Sequence, residues 1–156
     1  MTRRNTVALL FALIVLVAIP AAVHIITSSH YAARTTGVAR MYWEKMPASA
    51  TVPYVFLAFL FGLHCSIVGK ASSRWPAYCG AVLAWLFLMR SSVGLLCLSD
   101  AQITRIGPTG ATLGLYLGPI FAIAYAIALY AIGVCIGSFT DWLTRWLTKR
   151  KTVERV

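Results

Sequence analysis

Acidic side chains are scarce: four Asp and Glu stand in 156 residues, against fourteen Lys and Arg. None of the four lies in a long apolar stretch, so no carboxylate pair is on offer there for general acid and base work, nor a carboxylate-rich metal site. The four cysteines, Cys65, Cys79, Cys97 and Cys135, form no C-x-x-C pair, which removes the usual dithiol motif. They fall in or beside apolar runs and read as small apolar fillers. Missing too are G-x-S-x-G, a glycine-rich loop followed by Lys and Ser or Thr, and H-E-x-x-H, the spacings that serve hydrolysis, phosphate binding and zinc. A non-enzymatic chain without cofactor is the expectation.

What is present is hydrocarbon. Hydrophobic residues make up 60% of the chain and charged residues 12%, against a charged share of about 25% in soluble domains. The apolar residues come as unbroken runs of the length that crosses a bilayer, about 18 residues or more. Four such runs occur, at 6–26, 52–68, 76–98 and 111–139. The first follows Arg3 and Arg4 and resembles the start of a secretory signal. Its best cleavage position would set Pro20 three places before the cut, and apolar residues continue to Ile26, so it reads as an uncleaved span. Pro53 and Pro76 stand in the first turns of their runs, where a missing N–H costs little.

Between the first two runs, 27–51 reads as a polar loop whose Tyr42 and Trp43 suit the headgroup zone. Residues 99–110 read as a turn containing Gly and Pro. After Phe139, Trp142, Leu143, Trp146 and Leu147 share one helical face and Lys149, Arg150 and Lys151 follow. That pattern predicts a separate amphipathic helix over 140–151, lying in the interface through Trp142 and Trp146. The expected fold is all-α: a polytopic membrane protein of one domain, with four transmembrane helices in a compact bundle plus this C-terminal helix.

Net charge is +10, and the basic residues flank the apolar runs and form no continuous stripe. Anionic lipid headgroups are therefore the expected partner, and nucleic acid is not. With the amino terminus inside, nine Lys and Arg fall on the cytoplasmic side (3, 4, 70, 74, 145, 149, 150, 151 and 155) and four outside (34, 40, 45 and 105). Both termini are thus expected in the cytoplasm.

Small residues at four-residue spacing mark helix-packing seams, because they let backbones approach where lipid supplies no hydrophobic drive. The second run has Ala58, Gly62 and Ser66, and the third has Gly80, Ala84, Ser91 and Gly94. The fourth has Gly110, Gly114 and Gly118 at one end and Gly133 and Gly137 at the other. Arg90 stands in the third run without an acidic residue in any span. It must snorkel, bond carbonyls and hydroxyls, or meet an anion. Arg90 and His64 are the candidate binding residues. His24, His30 and His64 fall at different depths, which suits polar contacts between helices better than haem or zinc, and no metal site is expected.

In topology alone, a short, basic, four-span chain without a catalytic set resembles the small accessory and immunity proteins of the bacterial inner membrane. The resemblance implies a factor that binds another membrane-inserted protein. The alternatives are a small transporter or oligomeric channel with Arg90 on an anion path and, behind it, a lipid-modifying or haem-binding protein. A membrane-impermeant thiol reagent applied to intact cells should label a cysteine placed at Thr36 and not one at Thr152, in a chain otherwise free of cysteine. The reverse pattern would overturn the orientation.

Overall fold

A computed structural model describes residues 3–68, 74–105 and 108–153. They form α1 (Arg3–Ala32), α2 (Gly37–Val68), α3 (Trp75–Leu96), α4 (Asp100–Arg105) and α5 (Pro108–Val153). The chain is all-helical over these residues, and α1, α2, α3 and α5 are each long and apolar enough to cross a membrane. The 33–36 connection and α4 mark one end of the bundle, called here the turn end. α2 finishes and α3 starts at the opposite, tail end, beyond which α5 continues.

The expected polar loop at 27–51 is helical except at 33–36. The hydroxyls that make it look loop-like donate to carbonyls of the preceding turn. Thr27 Oγ1 bonds Val23 O at 2.7 Å, Ser28 Oγ bonds Ile25 O at 3.0 Å, and Thr51 Oγ1 bonds Pro47 O at 2.8 Å, so polar groups are satisfied without leaving the helix. Reversal is confined to four residues because Gly37 adopts φ of +61°, a conformation that costs glycine little. Trp43, expected at headgroup level, is fully buried, with its ring centroid 4.8 Å from that of Tyr31. The turn at 99–110 contains α4, opened by a capping box in which Ser99 N donates to Gln102 Oε1 (2.9 Å) and Gln102 N to Ser99 Oγ (3.4 Å). Residues 106–107 lie outside the described residues.

The separate C-terminal helix expected at 140–151 is instead the last part of α5, which runs unbroken for 46 residues. No proline or other breaker interrupts 138–153. Thr140, Thr144 and Thr148 each donate to the carbonyl four residues back at 2.8 Å, and Asp141 pairs with Arg145 at 2.7 Å. At 1.5 Å per residue α5 is about 69 Å long, more than twice a hydrocarbon core of about 30 Å.

α3 packs on α5 more extensively than any other pair of helices does, followed by α1 on α2 and α2 on α5. The core is a ladder of bulk against smallness: Tyr54, Leu57 and Phe61 of α2 are buried in one cluster with Ala77, Ala81 and Ala84 of α3. At the tail end α3 and α5 meet backbone to backbone. A Cβ on Gly133 would lie 2.5 Å from Gly80 Cα, and one on Gly137 would lie 2.6 Å from Pro76 Cα, inside any tolerated contact. Gly133→Ala should therefore push the two helices apart at a cost of about 1–3 kcal/mol, seen as a melting temperature lowered by several degrees in mild detergent. Gly62→Ala, whose Cβ meets nothing within 4 Å, should melt with the parent.

Candidate functional site

The backbone contact that joins α3 and α5 at the tail end is not kept up along their length. Phe87 and Tyr125 still touch, with ring centroids 5.6 Å apart, but nearer the turn end a Cβ on Gly94 or Gly118 would meet nothing within 4 Å. The helices diverge and leave a crevice of about 360 Å³. Its inner wall is buried α2 surface, Met46, Pro53 and Tyr54, with His24 of α1 beside it. Exposed Ser91 on α3 and exposed Gly114, Gly118 and Tyr125 on α5 border its mouth. Among the described residues, no Lys, Arg, Asp or Glu lines it. Pro53 and Pro119 in its walls have no N–H, so the carbonyls of Ser49 and Leu115 lack their usual helical donor.

Polar side chains from three helices converge at the inner wall. Ser92 Oγ lies 3.0 Å from Tyr54 Oη, 3.2 Å from His24 Nε2 and 3.1 Å from Leu88 O. All three residues are buried, at 2–3% exposure, so each bond replaces one that water cannot make. A serine oxygen accepts two donors and gives one, and Ser92 has three neighbours for those three roles. His24 Nδ1 is buried and has no hydrogen-bond partner among the described residues. The imidazole lies 5.9 Å from the Tyr54 ring, centroid to centroid.

The sequence-derived candidates distribute around this site and do not coincide with it. Gly114 and Gly118 border the crevice, and a Cβ on Gly118 or Gly110 would meet nothing within 4 Å. Tyr42 is the nearest group to Gly114, 3.5 Å from a Cβ placed there. Gly80, Gly133 and Gly137 are brought together in the tail-end seam. Ala58 and Ala84 are buried, while Ser66, Ser91 and Gly94 are exposed. Arg90 is exposed, is not part of the crevice, and has no ion-pair or hydrogen-bond partner among the described residues. His64 stacks edge-on against Tyr130 at 6.0 Å, on the tail-end side. Trp142 and Trp146 are exposed on the α5 extension. The cysteines are free.

Sequence reasoning missed Ser92. The signal was the four-residue ladder Ala77, Ala81, Leu88 and Ser92, whose first three members are apolar: a hydroxyl at the end of a buried stripe must find a partner across the interface. Over the described residues the fold is all-helical, with four helices long and apolar enough to cross a membrane and a polar chain buried between three of them. No family model, no curated protein and no solved structure matches the chain. Ser92→Ala strands Tyr54 Oη and His24 Nε2 together, whereas Tyr54→Phe leaves Ser92 still bonded to Leu88 O and His24. Thermal unfolding in detergent should therefore rank Ser92→Ala as the more damaging, by about 1 kcal/mol or more; equal melting temperatures would count against the bonded chain.

Proposed function

We propose that the chain is a non-enzymatic interaction protein of the bacterial inner membrane, with both termini cytoplasmic, that engages an acidic partner protein through the extension of α5. The observation that carries this reading is the reach of α5 past its neighbours. Gly137 lies against Pro76 at the start of α3, and sixteen further residues of α5 follow, a projection of about 24 Å. Along it Phe139, Trp142, Leu143, Trp146 and Leu147 are exposed, as are Arg145 and Lys149. An apolar stripe edged by cations suits a partner helix that offers apolar residues edged by carboxylates. A bilayer surface suits it less well, because the extension continues the line of a spanning helix and does not turn into the membrane plane. The competing anion-path reading draws no support from the crevice, which has no Lys or Arg among its described lining residues.

A photoreactive residue at Leu143 in native membranes should give a discrete protein adduct. Paired Arg145→Glu and Lys149→Glu substitutions should abolish it, and Arg90→Gln should leave it intact. Lipid adducts alone, or a protein adduct indifferent to the charge reversal, would retire the proposal.

A further inference from the structure

The crevice lies toward the other end of α5 from the extension and has a chemistry of its own. We propose that it binds an uncharged amphipath with a flat, ring-bearing headgroup of the quinone type, whose tail leaves through the mouth between α3 and α5 into the bilayer.

Four observations lead there. First, the lining holds no Lys, Arg, Asp or Glu among the described residues, so a charged headgroup would be desolvated without compensation from them. Second, aromatic rings stand on several sides, Tyr42 and Tyr54 from α2, Phe87 from α3 and Tyr125 from α5, which favours a flat π-system over a bare acyl chain. Third, the volume of about 360 Å³ falls at the lower end of the roughly 300–1,000 Å³ typical of small-molecule sites. It holds a substituted ring and the first part of a tail, not a whole lipid. Fourth, His24 lines the crevice while the Tyr54–Ser92 pair fixes its Nε2 side. An imidazole and a phenol ring held in place by their own bonds give a flat ligand fixed surfaces to pack against. The small residues at the mouth fit this reading. A Cβ on Gly118 would meet nothing within 4 Å and Ser91 is exposed, so both keep open a path that larger side chains would close.

The test uses the full chain purified in mild detergent and, as probe, a benzoquinone carrying one isoprene unit, titrated calorimetrically against protein and against empty micelles. The parent should show saturable one-to-one binding. Ser91→Phe and Gly118→Leu, both at exposed positions, should each weaken binding at least tenfold while melting with the parent. Gly62→Leu, away from the crevice, should bind normally. Ser92→Ala should weaken binding about 3- to 10-fold, because His24 and Tyr54 then lose the bonds that hold their rings in place. Three results would overturn the proposal: no saturable heat beyond that of micelles, parental affinity in both mouth variants, or displacement of the probe by an equal concentration of oleyl alcohol. The last would make the crevice an acyl-chain groove. Should one mouth variant fail to fold, the other still decides.

Discussion

Everything in this bundle is arranged around the place where α3 and α5 meet without side chains between them. Helices in lipid gain nothing by hiding apolar surface from one another, so their association rests on close van der Waals fit. Gly80, Gly133 and Gly137 supply that fit at the tail end, where a single added carbon would collide with the opposing backbone. Pinned there, the two helices are free to separate toward the turn end, and the separation makes the crevice. A seam of glycine along the whole interface would have closed it.

The second specification is polar. Ser92 ties α3 to α1 and α2 through His24 and Tyr54. Bonds between helices within a membrane are worth on average only about 0.6 kcal/mol each, so their role lies in register more than in strength. Slip any of the three helices by one turn and a buried hydroxyl or imidazole loses its partner, at a cost above the value of the bond itself. Packing sets how near the helices come, and this polar chain sets how far each is displaced along its axis.

The spans were legible because apolar length is a property of the chain alone: the four runs and the four long apolar helices agree in number, although α2 and α5 run well beyond their apolar runs. Less legible was what happens to polar residues between them. Ser and Thr at 27–51 and at 140–148 resemble loop or cap residues, and only the structure shows their hydroxyls returned to their own helix, prolonging α1, α2 and α5. The glycines were half legible. Four-residue spacing identifies small faces but not whether a neighbour fills them, so Gly133 and Gly114 look alike in sequence and do opposite things, one joining two backbones and the other bordering an opening. Ser92 was hidden for a related reason, since its value depends on partners 38 and 68 residues away. Arg90 drew notice by its charge, yet it lies apart from the place where polar groups converge.

The unbroken course of α5 has a mechanical meaning. One end of this helix forms the lip of the crevice, its middle is clamped on α3, and its far end runs on past the start of α3, so the clamp is a pivot with an arm on either side. Gly114 lies nineteen residues from Gly133, an arm of about 28 Å. A tilt of about 5° about the pivot would move the lip by roughly 2.5 Å, more than half the width of a methyl group, so a load on the projecting arm would register as a change in aperture at the opposite side of the membrane.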